Sequence, residues 1–209
     1  MLRRSSGLWC AAAALITAAL QLVSGLVPPA VSADSASYPF TPGAQIVFQL
    51  AFAVLHLPVL AALIVLARTR PFGRGRAERV GAWTAALGYA FFPFAELYEA
   101  SVARLAQNDP KVDVLAALFG PGTLLFGIGA LIAGFAMLRA RRWRGRDRFS
   151  LFASGVVMVL VVLPSQFGTN RIVTDFALTL WALTLAWVGW SLARSAQVVS
   201  SAAFAAASD

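Results

Sequence analysis

Charge is scarce in this chain. Asp, Glu, Lys and Arg make up 12% of its 209 residues, while 59% are hydrophobic, and the mean hydropathy is +0.75. A soluble domain carries about a quarter of its residues as charges, so a water-soluble globule of this composition would lack the polar surface to cover itself. Soluble enzyme, disordered tail and coiled coil are excluded. One cysteine, Cys10, cannot form an internal disulfide or a Cys-x-x-Cys redox pair. One histidine, His56, cannot supply both ligands of a bis-histidine haem or a multi-histidine zinc site. The only lysine, Lys111, follows Asp109-Pro110 in a polar loop, badly placed for a Schiff base inside a bundle. Neither cofactor nor metal is expected, and no catalytic residue stands out.

What the chain does have is apolar runs of membrane length. Leu8 to Val27 covers about 30 Å at the helical rise per residue, the thickness of the hydrocarbon core. Similar runs cover about 44–67, 80–103, 114–138, 149–166 and 174–192. Lipid leaves backbone groups without partners, and the alternation of barrel strands is missing, so the runs read as helices. The expected fold is all-α: a polytopic transmembrane bundle of six spans in one domain, 1–197, with a flexible Ser/Ala-rich cytoplasmic tail, 198–209. Arg3-Arg4, an apolar run and Val31-Ser32-Ala33 resemble a secretory signal, but that run exceeds the usual core of about 7–15 residues and reads as a retained helix. Gly120-Pro121-Gly122 is expected to interrupt the fourth span, and Pro58, Pro93 and Pro164 to kink theirs. Gly127, Ala130 and Gly134 are read as a helix-packing face.

The basic residues are lopsided. Sixteen of the 17 are arginine. Fourteen lie before the first span, between the second and third, between the fourth and fifth, or after the sixth; the opposite connections hold only Arg104, Lys111 and Arg171. The positive-inside rule then puts both termini in the cytoplasm, and a bacterial inner membrane is the expected location. The same rule accounts for the clusters that could pass for nucleic-acid patches, so nucleic acid is not an expected partner. Arg70, Arg74, Arg76, Arg141, Arg142 and Arg144 are expected to contact anionic lipid headgroups, at roughly 1 kcal/mol each. A homo-oligomer or a membrane partner is open.

Ionisable groups inside the hydrocarbon are costly and default to functional candidates. His56 falls near the middle of the second span; Glu96 and Glu99 fall in the outer half of the third. At about 100° per residue, Gln45, Gln49 and His56 form a polar stripe on one helix face. Glu96 and Glu99, three apart, share another. Antiparallel neighbours would bring Glu96 to His56 and set Glu99 level with Gln49, with Asp175 and Thr179 completing the wall. The expected result is a polar cavity open to the outside and closed at depth by a His56–Glu96 pair. A transporter or solute-binding protein could use it. A hydrogen-bonded pair that only pins two helices would suit a non-catalytic scaffold, sensor or accessory subunit, the leading expectation. An intramembrane enzyme is the third: Ser24-Gly25 and Ser154-Gly155 lack the flanks of a nucleophile elbow.

His56-Leu57-Pro58 with its aliphatic run into arginines, and Trp187-Val188-Gly189-Trp190-Ser191-Leu192 in the last span, resemble small uncharacterised six-helix integral membrane proteins of GC-rich bacteria. The resemblance implies a six-helix bundle, assigns no activity, and carries over no functional residue.

Overall fold

The computed structural model describes residues 2–69, 75–140, 143, 145–167 and 170–207, with side chains from residue 3 to residue 196. Its six helices are α1 (Leu2–Leu26), α2 (Pro42–Thr69), α3 (Arg76–Val102), α4 (Pro110–Ala140), α5 and α6 (Arg171–Ala207). The fifth, α5, is composite: a 3-10 turn (Gly145–Phe149), an α segment (Ser150–Val157), a π turn (Met158–Val162) and a last α turn (Leu163–Ser165). No strand occurs among the described residues. All the helices except α3 are long and apolar enough to cross a membrane. The exception carries Glu96 and Glu99 near one end and Arg76, Glu78 and Arg79 at the other.

Each helix packs on its neighbours in sequence, and α6 returns to α1, so the bundle is a closed ring. The helices start where capping chemistry permits. Thr41 Oγ1 accepts the Ala44 N–H (3.4 Å) ahead of α2, Asp109 Oδ1 the Lys111 N–H (2.9 Å) ahead of α4, and Asn170 Oδ1 the Ile172 N–H (3.1 Å) ahead of α6. Pro42 and Pro110 occupy first-turn positions, where no donor is needed. Two helix ends are closed by arginines from a neighbour. Arg3 donates to the Thr69 carbonyl at the end of α2 (3.0 Å). Arg171 donates to the Ser24 and Val27 carbonyls at the end of α1 (2.6 and 3.2 Å).

The ring is tightest where glycines face each other. A Cβ on Gly81 would lie 2.6 Å from the Ala133 backbone nitrogen, and one on Gly129 would lie 2.7 Å from the Gly81 carbonyl. Gly88 and Gly122 continue this α3–α4 contact, and Gly7 and Gly189 make a comparable crossing of α1 on α6. Association in lipid rests on such close packing, because lipid tails are as apolar as the helix surface. Gly134 packs on the Phe152 backbone and Gly127 on Val159, while Ala130 is fully buried.

Two expectations need correction. The fourth helix runs through Gly120-Pro121-Gly122 without interruption. Gly120 has no Cβ to clash with the following proline ring, and Gly122 is a packing residue. The backbone of the sixth helix continues to Ala207 instead of ending near 192, as alanine-rich sequence favours. Residues 208–209 of the expected tail lie outside the described residues. Around Pro164, which cannot donate to the preceding turn, the chain adopts the π turn instead of a regular α path.

Candidate functional site

The polar residues of α2 and α3 meet between those two helices. Tyr89 and Glu96 are seven apart, two turns, and so share a face of α3. The His56 ring reaches between them from α2. Its Nδ1 lies 2.8 Å from the Tyr89 hydroxyl, and its Nε2 lies 3.3 Å from Glu96 Oε1. Further toward the helix ends, Gln45 Nε2 donates to Glu99 Oε1 (2.8 Å), and the Gln49 amide also faces that carboxylate. The Gln49 carbonyl oxygen is buried and has no hydrogen-bond partner among the described residues. The result is a polar chain of two hydrogen-bonded groups one turn apart along the α2–α3 contact, Gln45 with Glu99 and Glu96 with His56 and Tyr89.

Aromatic rings close its deep end. Tyr89 contacts Phe92, Phe126 and Trp181 at centroid distances of 5.3, 5.7 and 5.9 Å, and Trp181 contacts Phe126 at 5.3 Å. Rings from α3, α4 and α6 thus fill the centre of the bundle. At the other end the connections 27–41 and 103–109 are joined backbone to backbone. Ala36 N–H donates to Leu105 O (3.1 Å) and Gln107 N–H to Asp34 O (2.7 Å). Phe40 stacks on Phe48 of α2 at 5.0 Å.

The chain is packed rather than open. Gln45, Gln49, His56 and Glu96 are 5%, 6%, 5% and 8% exposed. An outward-open cavity was expected; the two helices instead press these side chains together, and the hydrogen bonds run helix to helix.

Of the residues singled out in the sequence, Gln45, Gln49, His56, Glu96 and Glu99 come together. Asp175 and Thr179 do not join them. Asp175 faces α1, where it accepts from the Ser24 hydroxyl (3.5 Å), pairs with Arg171 (3.5 Å) and abuts Gly25. Thr179 turns its hydroxyl back onto the Asp175 carbonyl (2.7 Å). Asp175 belongs to the α1–α6 contact because Asp175, Ala182 and Gly189, seven apart, lie along one face. Arg76 is exposed at the start of α3; Arg70, Arg74, Arg141, Arg142 and Arg144 lie outside the described residues. Tyr89 was missed, although its spacing from Glu96 carried the signal. Tyr98 donates to the Lys111 carbonyl (2.9 Å), away from the chain.

Chemically, the Tyr89–His56–Glu96 group can exist in two hydrogen-bonded forms that differ by one proton. With Nδ1 protonated, His56 donates to the Tyr89 oxygen and Nε2 accepts from a carboxylic acid at Glu96. With Nε2 protonated, it donates to a Glu96 carboxylate and Tyr89 donates to Nδ1. Among the described residues no group of three or more His, Cys, Asp or Glu side chains could hold a metal ion. No family model, curated protein or solved structure matches the chain.

Proposed function

We propose that this chain is a non-catalytic subunit or sensor of a bacterial inner membrane, with six spans and both termini in the cytoplasm, whose α2–α3 contact responds to protonation. The observation that carries this reading is the His56 ring, bridged through both nitrogens to Tyr89 and Glu96 on the neighbouring helix. Adding or removing one proton reverses the direction of donation along Tyr89, His56 and Glu96 and changes what holds α2 to α3. Local charge changes of this kind drive switches where a packed element has two arrangements. The arginine asymmetry supports the topology, α3 being carried as the sixth span by its place between α2 and α4. Anionic lipid headgroups are the natural partners of the arginine-rich face.

The test is infrared difference spectroscopy on the protein in liposomes as pH is changed. A carboxylic C=O band that titrates in the parent and disappears in Glu96→Gln is the expected result. Identical difference spectra in the parent, Glu96→Gln and Glu99→Gln would overturn the proposal. Ala33→Cys and Ala106→Cys, both at exposed positions, should react with an impermeant reagent from the periplasmic side.

A second reading, proton-coupled passage of a small polar solute, is favoured by the Gln49 carbonyl oxygen, an acceptor beside Glu99 with no partner among the described residues. It expects Glu96→Gln to abolish proton flux in proteoliposomes, whereas the sensor reading expects no flux in the parent.

A further inference from the structure

The α1–α6 crossing leaves a pocket at the arginine-rich end of the bundle. One turn beyond the Gly7–Gly189 contact the side chains splay apart, and Arg4, Leu8, Trp190, Ala193 and Arg194 line a space of about 340 Å³. Its lining mixes charged and apolar side chains. Arg4 and Arg194 both line it, and the Arg194 guanidinium lies 5.3 Å over the Trp190 ring. Among the described residues neither is in an ion pair. Arg3, by contrast, is engaged on the Thr69 carbonyl. The first turn of α1, with its unpaired N–H groups and positive dipole end, lies at the same place. Leu8 and Trp190, 43% and 47% exposed, form the apolar wall.

We infer that this pocket is a binding site for one anionic phospholipid. Its phosphate would lie between Arg4 and Arg194, and the start of its acyl chains along Leu8 and Trp190. The charge decides the class. Two cations that form no ion pair among the described residues, beside an apolar wall, match an anionic headgroup joined to hydrocarbon, and basic pockets between transmembrane helices recognise such lipids. Arginine presents a planar fork to phosphate oxygens. The inference rests on the membrane reading of the bundle and is independent of the α2–α3 proton chain.

Native mass spectrometry of the full chain released from nanodiscs tests it, with phosphatidylglycerol and phosphatidylcholine as probes. The expected result is one retained phosphatidylglycerol per chain in preference to phosphatidylcholine. Arg4→Gln and Arg194→Gln should each weaken retention about fivefold, and the pair about thirtyfold, from roughly 1 kcal/mol per arginine near the surface. Arg139→Gln, which removes another exposed arginine, should leave retention unchanged. Brominated phosphatidylglycerol should quench a tryptophan component that is missing in Trp190→Phe. Unchanged retention in the double variant overturns the site, and equal loss in Arg139→Gln reduces it to diffuse surface charge. Displacement by inorganic phosphate would make it a free-anion site. A chain that incorporates into nanodiscs without retaining the lipid sinks this site alone; a chain that fails to incorporate sinks the membrane reading.

Discussion

Adding one methyl group at Gly129 should loosen the bundle, whereas the same change at Gly43 should tighten it. Both glycines are helical, so alanine has the same intrinsic advantage at each, about 1 kcal/mol. The surroundings differ. At Gly43, in the first turn of α2, a Cβ meets nothing within 4 Å. At Gly129 it would lie 2.7 Å from the Gly81 carbonyl and 2.8 Å from the Ala85 Cα. Those atoms are backbone and cannot rotate away, so α3 and α4 must separate until the contact reaches the ordinary 3.4 Å. An opening of that size forfeits about a quarter to a half of the dispersion energy between facing atoms. It acts along the whole ridge of Gly81, Gly88, Gly122 and Gly129. The intrinsic advantage cancels between the two sites and overpacking of this kind costs about 1–3 kcal/mol, so the two variants should differ by about 1–3 kcal/mol. Steric-trap unfolding in mixed micelles measures the difference directly. Stabilities within about 0.5 kcal/mol of each other would refute the close backbone contact and, with it, the account of how α3 is held.

Trp181→Ala removes the ring that Tyr89, Phe92 and Phe126 share. It should cost about 3–5 kcal/mol by the same unfolding assay. Arg171→Gln takes a charged donor from the end of α1 and should destabilise by about 1–2 kcal/mol. Limited proteolysis should then cut residues 27–41 faster than in the parent. Tyr89→Phe deletes the hydroxyl on His56 Nδ1 and should cost about 0.5–1.5 kcal/mol. Its infrared carboxyl band should shift without disappearing, which separates positioning of the ring from loss of the Glu96 acid.

Hydropathy made the helices legible because a bilayer demands long apolar runs, and the helices begin close to where the runs begin. Pairing of α2 with α3 was legible too, since Gln45, Gln49 and His56 on one face have few polar partners within reach other than Glu96 and Glu99. The misjudgements share a cause: local pattern does not say which neighbour a face meets. Asp175 looked like a wall of the same site, yet its face turns to α1, and only the ring closure of α6 on α1 decides that. Gly120-Pro121-Gly122 looked like a break, but glycine is both a helix weakener and the residue that lets two backbones touch. Which role prevails depends on α3 being there to touch. Tyr89 lies at the same helical register as Glu96; among so many aromatics, only its hydroxyl distinguished it.

The position of the polar chain on α3 has a further consequence for how the bundle holds together. A charged group costs roughly 2.5–3.5 kcal/mol at the bilayer centre, and α3 carries two carboxyls on one face, which makes it the least apolar of the six helices. Its place in the ring offsets this on both sides. Toward α2 its acids meet an imidazole and an amide, bonds worth about 1–2 kcal/mol each in lipid. Toward α4 it has glycines at backbone contact. The polar contact depends on proton occupancy, and the glycine contact does not. On the proposed sensor reading, protonation would alter the α2–α3 seam while α3 stays anchored to α4, and that asymmetry would distinguish a seam able to respond from one that would simply come apart.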